Sequence, residues 1–467
     1  MRRTSAVCLG MVLIAAGCSS RDRPVLAEAW RIPSVRPIGQ PVAVGDAVVV
    51  YGTVDQDLYL YDIAVADGTI RWRQPASPSA VVGGIPLEPA VIDTRIAYFR
   101  PDPSGNLLAR LVVAAPDSAS DLFVSAPMRF GSHPHRCADG KDICVTAAVG
   151  DGTWTSRRFS VEGGGPVADP GAAPRGSRFL GEDLLDLGER EPEVLAGFHG
   201  GQVRWRSPLT RHFSARATTD EGWYFQLYRS AGVHVGSVGR PSDRVGNANV
   251  IDWSRSETAA IAAATGAAVW HEDGTRFVCQ GKVALDRKVD DGRSEPWPVR
   301  CRYRGIGRYD RTTGAATYDG LDVTLEGFDV PTGTTTWSVP MGAAEAFMKG
   351  DVNATPLSDR EVLVQAATRP VVVDLANGRT RRPATGERFW CNNDVVFEYR
   401  ESRYYSDGTS SNSWRGGSVL RSCTADGSPA AAMPKQLPPS VGATVGSRTA
   451  IATDGGLVAF DRTARST

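Results

Sequence analysis

Three short apolar segments, each followed by a turn, decide the fold of this chain. They are VGDAVVVY at residues 44–51, LYLYD at 58–62 and DGTIRWRQP at 67–75. Each has the length and alternation of a β-strand, and the turns between them contain Gly and Asp. The stretch ends in Trp72 followed by Pro75. We therefore interpret it as three antiparallel strands of one repeating unit.

The Trp-x-x-Pro ending recurs along the chain, which indicates a repeat. Further copies begin at Trp30, Trp205 and Trp337. Trp30 and Trp72 are 42 residues apart, a period typical of the blades of a β-propeller. The composition agrees, since 50 Gly and 30 Pro among 467 residues suit a turn-rich all-β chain. The formal net charge is zero, so no overall field attracts nucleic acid.

The two ends of the chain complement each other. Residues 27–33 match the last strand of a unit whose first strands are missing. Residues 445–452 and 457–461 match the first strands of a unit that lacks its last. Joining them would close a ring and protect the sheet edges. We predict an all-β propeller of four-stranded blades, eight in number with seven as the alternative, closed by the N-terminal strand on the C-terminal blade.

The sequence pattern repeated in these units also resembles that of a known family. It runs hydrophobic-x-hydrophobic-Asp-x-x-(Thr/Asn/Asp)-Gly-x-x-x-Trp, where Asp and Gly supply the turn and Trp fills the space between sheets. This resembles the PQQ-type (quinoprotein-like) β-propeller repeat over most of residues 27–467, most clearly near 58–75, 261–270, 325–340 and 455–461. The BamB-type lipoproteins of the outer-membrane barrel assembly machine are a lipid-anchored family of this type. The resemblance implies the fold more strongly than a function.

The N-terminus predicts export and anchoring. Residues 1–17 have a basic start and a short apolar run, as in a signal peptide, and Ala15-Ala16-Gly17-Cys18 resembles a bacterial lipobox. Acyl chains such as palmitate on Cys18 would hold the protein at the cell membrane, on the extracytoplasmic face. Residues 18–26 would be a tether, and 27–467 a single domain. An ordinary secretory signal with a chance cysteine is the alternative.

Six cysteines remain for the exported chain. Locally folding units favour pairing in sequence order, which gives Cys137–Cys144, Cys279–Cys301 and Cys391–Cys423. The alternative is a metal site that uses His133, His135 and Cys137, but its spacing fits no standard zinc pattern. We predict disulfide bonds and no metal.

No catalytic motif stands out. Quinoprotein dehydrogenases use an adjacent cysteine pair at the cofactor, and this sequence has no Cys-Cys and no Cys-x-x-Cys-His. His271-Glu272-Asp273 is interpreted as a solvated turn. We predict no enzyme activity and no cofactor.

Two stretches that combine aromatic residues with Arg or polar residues are predicted as contact loops. Their residues are Arg302, Tyr303, Arg304 and Tyr309 in the first, and Tyr404, Tyr405 and Trp414 in the second. Such mixtures suit protein interfaces, although an elaborated hairpin is an alternative in both cases.

The resulting hypothesis is a monomeric, non-catalytic envelope lipoprotein whose propeller binds another exported protein. One alternative is an extracytoplasmic protein that binds a glycan or small molecule. A PQQ-dependent dehydrogenase is a third and weaker alternative.

Overall fold

The structure, a computed structural model, describes most of the chain that follows the predicted tether. The described residues are 26–55, 57–79, 87, 89–104, 108–137, 142–149, 153–162, 165–167, 177–181, 183–188, 193–199, 202–277, 286–288, 294–349, 356–404, 410–437 and 441–462. They form β-structure almost throughout, with one short helix, α1 (Glu345–Lys349), and 3-10 turns such as Leu209–Arg211 and Trp253–Arg255. Among these residues we find no helix with the length and apolar character needed to span a bilayer.

The strands are numbered in chain order. The first nineteen are β1 (Ala27–Ile32), β2 (Arg36–Pro37), β3 (Val42–Val44), β4 (Ala47–Val54), β5 (Asp57–Ala64), β6 (Ile70–Ala76), β7 (Ala90–Ile92), β8 (Arg95–Pro101), β9 (Ala109–Ala114), β10 (Asp121–Val124), β11 (Arg129–Phe130), β12 (His135–Arg136), β13 (Ile143–Val149), β14 (Thr153–Phe159), β15 (Pro166–Val167), β16 (Arg178–Gly181), β17 (Leu184–Asp186), β18 (Val194–His199) and β19 (Gln202–Pro208).

The remaining strands include two long hairpins. They are β20 (Thr218–Tyr228), β21 (Val233–Gly239), β22 (Asp243–Val245), β23 (Ala248–Asp252), β24 (Glu257–Ala262), β25 (Ala268–Asp273), β26 (Thr275–Arg276), β27 (Asp286–Lys288), β28 (Ser294–Pro296), β29 (Val299–Asp310), β30 (Ala316–Phe328), β31 (Thr335–Gly342), β32 (Glu361–Gln365), β33 (Pro370–Asp374), β34 (Thr380–Arg381), β35 (Phe389–Tyr404), β36 (Ser410–Cys423), β37 (Ala443–Val445), β38 (Arg448–Thr453) and β39 (Gly456–Asp461).

Over the described residues, the strands form eight sheets of three or more strands and one two-stranded hairpin, β27 with β28. In chain order, sheet 1 contains β2–β6, sheet 2 β7–β10, sheet 3 β11–β15, sheet 4 β16–β19, sheet 5 β20, β21, β24 and β25, sheet 6 β22, β23, β26 and β29–β31, sheet 7 β32–β34, and sheet 8 β35–β39 with β1. Most neighbouring strands are antiparallel and consecutive in sequence, so each sheet is built locally.

Strand β4 shows why these sequences form stacked sheets. Its valines are buried on both faces, and successive side chains of a strand point to opposite sides. Val49 packs toward sheet 2, whereas Val48 and Val50 pack toward sheet 8. Further apolar clusters join sheets 2 and 3, 4 and 5, 5 and 6, 6 and 7, and 7 and 8. Each joined sheet therefore buries its faces against its neighbours.

The repeated tryptophans fasten these junctions, as predicted. The Trp30 indole N–H donates to the carbonyl of Val65 at 2.9 Å, and the Trp270 indole donates to the carbonyl of Val330 at 2.8 Å. Equivalent bonds join Trp72 to Pro116, Trp205 to Ala263 and Trp337 to Leu375. In four of these five junctions the ring also lies against the glycine of the receiving turn, at Gly68, Gly266, Gly333 and Gly378. Each of these four turns therefore receives the preceding tryptophan at a glycine of positive φ, although only residues 329–333 have the full Asp-x-x-Thr-Gly pattern.

The first strand pairs with the last, as the chain ends predict. Strand β1 runs antiparallel to β39, with Ala27 opposite Asp461 and Ile32 opposite Leu457. Trp30 and Ile32 then pack on the cluster shared by sheets 8 and 1. The N-terminal strand thus completes the C-terminal sheet and contacts the first one.

Two predicted disulfide bonds are present. Cys137–Cys144 and Cys391–Cys423 have Cα–Cα distances of 5.0 Å and 5.9 Å. Cys301 is also disulfide-bonded, whereas its predicted partner Cys279 lies outside the described residues. The bond of Cys137 removes it as a thiolate ligand, which argues against the metal alternative at this site.

Candidate functional site

A mostly apolar cavity lies at the base of the hairpin of β35 and β36. We call it the hairpin-base groove. It has a volume of about 360 Å³, and its walls are Pro356 with Leu357, residues 384–390 and residues 432–437. This volume lies within the range of ligand-binding clefts, and a mostly apolar lining with a few polar groups is typical of such sites.

The groove is held open by the residues around the Cys391–Cys423 bond. The sulfur bridge packs in one cluster with Leu363, Val372 and Phe389, which ties the start of β35 to sheet 7. The opposite wall, residues 432–437, is not a strand and is fastened by side chains. The Trp390 indole donates to the carbonyl of Gln436 at 2.8 Å, and the Ser422 hydroxyl donates to the carbonyl of Ala432 at 2.5 Å.

The charges around the groove leave it positive. Glu387 is held by Arg381, whose guanidinium donates to both of its carboxylate oxygens at 2.9 and 3.0 Å, and these bonds raise the pKa of Arg381. Two further cations, Arg388 and Lys435, line the groove. The Nε of Arg388 is buried and has no hydrogen-bond partner within the described part of the chain. The Nη1 of Arg388 donates to the carbonyl of Glu387 at 3.3 Å, and neither Arg388 nor Lys435 forms an ion pair with a carboxylate among the described residues. Both cations can therefore attract an anionic group.

The rim of the groove is apolar. The side chain of Met433 is 37% exposed, and Pro434 lies beside it. Methionine adapts its shape to apolar partners better than branched side chains do. Leu437 and Leu26, the first described residue, each pack against the apolar cluster that includes Trp390. The start of the described domain and this rim therefore share one cluster.

The first predicted contact loop is instead strand β29, which corrects that part of the prediction. Tyr303 is 1% exposed and belongs to the core between sheets 6 and 7, so it is not a surface residue. Arg302 donates to Glu326 at 2.6 Å and to Glu272 at 2.6 Å. Burial alone would raise the pKa of Glu326, but hydrogen bonds from Arg302 and Arg300 lower it. This part of the strand is structural.

The other predicted contact residues differ in their surroundings. Arg304 is exposed on β29, whereas Tyr309 is half-buried against Tyr318, with ring centroids 6.3 Å apart. The second predicted loop is largely strand as well, because Tyr404 lies in β35 and Trp414 in β36. Tyr405 lies outside the described residues. A binding role for Arg304, Tyr309, Tyr404, Tyr405 and Trp414 stays a prediction.

The interpretation of His271-Glu272-Asp273 as a solvated turn is also corrected, since these residues end strand β25. The Nε2 of His271 lies 3.1 Å from Glu257, which is buried and also accepts from Ser214. The hydrogen bond to Glu257 raises the pKa of His271. Together with Asp273 these two residues form the one group of possible metal ligands found among the described residues. Arg240 lies 3.2 Å from Glu257, so a cation already occupies part of this environment.

The hairpin-base groove was not predicted from the sequence. Its three wall segments are well separated along the chain, and none of them has the spacing of a motif. The available signals were Pro356-Leu357 and Met433-Pro434, apolar residues beside proline outside the predicted strands.

Comparisons with known proteins concern the overall architecture. No protein-family model matches the chain, and no curated protein matches it in sequence. Among solved structures, the chain is similar to BamB from Moraxella catarrhalis at 11% identity, over 93% of this chain and 99% of that one, with a TM-score of 0.28. It is also similar to a europium-containing methanol dehydrogenase at 14% identity, over 93% and 76% of the two chains, with a TM-score of 0.30. An uncharacterized protein, lmo1340 from Listeria monocytogenes, matches at 8% identity over 74% and 94%, with a TM-score of 0.32. No residue role is transferred from these proteins.

Proposed function

We propose that this protein is a non-catalytic binding platform whose hairpin-base groove holds a segment of another exported protein. The observation that carries the proposal is the groove itself, which is apolar, stapled by a disulfide bond and rimmed by an exposed methionine. A cleft on a rigid β-scaffold is ordered before binding, so little conformational entropy is lost when a partner docks.

The platform is, in this proposal, a closed propeller of eight blades. Support comes from the eight sheets of three or more strands among the described residues and from the pairing of β1 with β39. The tryptophan contacts between successive sheets give the same order of neighbours. Each sheet would then be one blade, with the hairpin of β35 and β36 as an extension of the last.

The proposal also includes the lipid anchor. If Cys18 carries acyl chains, the eight residues to Leu26 reach at most about 27 Å in an extended chain. Because Leu26 and Leu437 pack against the same apolar cluster, the rim of the groove would lie on the part of the domain that the tether holds near the extracytoplasmic face of the membrane. The mass of the mature N-terminal peptide tests this part, since an unmodified residue 18 would contradict it.

The proposed occupant is a protein segment that carries apolar and acidic side chains. Arg381 already neutralises Glu387, so Arg388 and Lys435 give the groove a net positive charge. A carboxylate of the partner would complement these cations, while its apolar side chains would cover Met433 and Leu437.

Fluorescence anisotropy with labelled peptides tests the occupant. Peptides of about 12 residues that alternate apolar and acidic residues should bind the full-length protein, with a Kd on the order of micromolar. Peptides with Lys in place of the acidic residues should bind at least about tenfold more weakly. The variants Met433→Asp and Lys435→Glu should each weaken binding of the acidic peptide by a similar factor.

Val245→Asp is the matched control for Met433→Asp. Val245 is also exposed, at 56%, but it lies on the edge strand β22 of sheet 6 and is not one of the residues that line the groove. The control should bind the acidic peptide as the unmodified protein does. Equal binding of acidic and Lys-containing peptides, or equal loss in both Asp variants, would contradict the proposed site.

A further inference from the structure

A second cavity lies between sheets 4 and 5, separate from the hairpin-base groove. We call it the inter-sheet cavity. It has a volume of about 460 Å³ and opens among the turns at one end of the two sheets. The six lining residues used below are Asp183, Phe198, His199, Arg204, Leu227 and Arg229. The Trp205 indole, which donates to Ala263 at 2.8 Å, joins the two sheets beside it.

The cavity combines positive charge with an apolar wall. Arg204 and Arg229 supply two guanidinium groups, whereas Asp183 supplies one carboxylate. That carboxylate faces His199, whose Nδ1 lies 3.1 Å from its Oδ2. Asp183 has a backbone φ of 58°, a strained conformation that is uncommon for a residue other than glycine. Phe198 and Leu227 are buried and apolar. The lining therefore favours a ligand with both an anionic and an apolar part.

A buried histidine, His234, lies on the same face of sheet 5 as Leu227, although it does not itself line the cavity. His234 is 1% exposed, and neither of its ring nitrogens has a hydrogen-bond partner among the described residues. It pairs directly with Leu227 in the β20–β21 register, so the two side chains lie on the same face of sheet 5. Burial lowers the pKa of His234 to about 4, and Asp183 and Arg229 are close enough to influence it. A buried polar group without a partner calls for an explanation, and a bound molecule or water would supply one.

We propose that the inter-sheet cavity binds a small organic anion, with its oxyanion held by Arg204 and Arg229 and its apolar part against Phe198 and Leu227. The planar guanidinium groups suit a carboxylate and a phosphate alike, because both present paired oxygens. His199 and Asp183 would orient a hydroxyl or amine on the same ligand. The hairpin-base groove has no part in this binding, so the proposal stands apart from the proposed function.

Isothermal titration of the full-length protein with simple probes tests this inference. Hexanoate and hexyl phosphate both carry an oxyanion on an apolar chain, and 1-hexanol carries the same chain without charge. We expect saturable binding of at least one of the two anions, with a Kd on the order of millimolar or tighter. The anion that binds more tightly shows whether the cavity prefers a carboxylate or a phosphate. 1-Hexanol should bind at least about tenfold more weakly than that anion.

Variants separate the cavity from general charge attraction. Arg204 is exposed, so Arg204→Ala should leave the fold intact while it weakens binding of the anion by about tenfold or more. Arg244→Ala removes an exposed arginine on β22, outside the cavity, and should leave binding unchanged. Absence of binding by both anions up to on the order of 20 mM would overturn the proposal. So would equal binding of 1-hexanol, or equal loss in the two variants.

Discussion

Sheet 1 and the hairpin of β35 and β36 are stabilised in different ways. Sheet 1 is apolar on both faces, and a tryptophan contact fastens it to each neighbour. The hairpin is much longer, and β36 meets the rest of sheet 8 through a single parallel pair, Leu420 with Thr453, among the described residues. An isolated two-stranded hairpin is marginally stable, so its base depends on Cys391–Cys423 and the packing around it. The contacts between repeated sheets thus stabilise the fold, whereas the candidate site lies at a long hairpin that differs from the repeat.

Removal of the Cys391–Cys423 disulfide bond should give the largest loss in the free energy of unfolding, and it tests whether the hairpin base depends on this bond. Cys391 and Cys423 are 32 residues apart, so Cys391→Ser with Cys423→Ser should lower the free energy of unfolding by about 4 kcal/mol. The matched pair Cys137 and Cys144 closes a loop of only 7 residues, and its removal should lower it by about 2.5 kcal/mol. Urea unfolding of the two variants measures both. A loss for the Cys391–Cys423 variant no larger than that for the Cys137–Cys144 variant would contradict the expected greater contribution of the bond at the hairpin base.

A glycine substitution tests the contacts between the repeat tryptophans and the glycines of the turns that receive them. Gly333 has a φ of 72°, and a Cβ there would lie 2.6 Å from the Trp270 ring, so Gly333→Ala adds a clash to the backbone strain. The expected loss of stability is about 3 kcal/mol. Gly314 has a φ of 70° with nothing within 4 Å of an added Cβ, so Gly314→Ala carries the strain alone, about 1 kcal/mol. Equal loss of thermal stability in Gly333→Ala and Gly314→Ala would contradict a close contact between Gly333 and the Trp270 ring.

Substitution of Asp62 tests whether a buried carboxylate destabilises sheet 1. It is fully buried, its carboxylate oxygens have no hydrogen-bond partner in the described part, and burial raises its pKa to about 6. Folding then favours the protonated form, so the stabilising contribution is complete below pH 4 and is lost as pH rises to about 6. Asp62→Asn should raise the free energy of unfolding at pH 7 by about 2 kcal/mol and by little at pH 4.

The difference in stability between Asp62→Asn and the unmodified protein should be measured across this pH range. Taking the difference removes the contributions of His212 and His234, whose pKa values burial lowers to about 4. A difference that does not change with pH would show that Asp62 is not the group that titrates.

The smallest expected effect is on the stability of the groove. Met433→Asp places a charge at an exposed position of the rim, so the free energy of unfolding should change by less than about 0.5 kcal/mol. Chemical denaturation checks this. A larger loss in the free energy of unfolding would mean that Met433 packs as part of the core. The rim of the groove would then resemble the regular sheets at this position.

The fold was predictable because its determinants are local and repeated. In the clear units Gly and Trp are four residues apart, as at Gly68 and Trp72 and at Gly333 and Trp337. The complementary chain ends predicted the pairing of β1 with β39. The sequence around the first predicted contact loop, Arg302, Tyr303, Arg304 and Tyr309, already had the pattern of a strand. Val299, Cys301 and Tyr303 alternate with arginines, which is the period of a half-buried strand, and all three are buried.

The candidate sites were not predictable in the same way. The hairpin-base groove needs residues 384–390 and 432–437 to meet, and the inter-sheet cavity needs turns from two different sheets. Arg300 shows the same limit, because it is 1% exposed although its neighbours Arg302 and Arg304 are not buried. Its burial depends on Glu326, which accepts from its Nε at 3.0 Å on the adjacent strand. Sequence periodicity carries no information about such distant partners.

The pairing of Ala27 with Asp461 also has a consequence for biosynthesis. Strand β1 is synthesised long before β39, its hydrogen-bonding partner. The intervening sheets can form from neighbouring strands, whereas the hydrogen-bonding edge of β1 stays exposed until β39 is available. A chain truncated before residue 456 would therefore keep β1 available to the wrong partner.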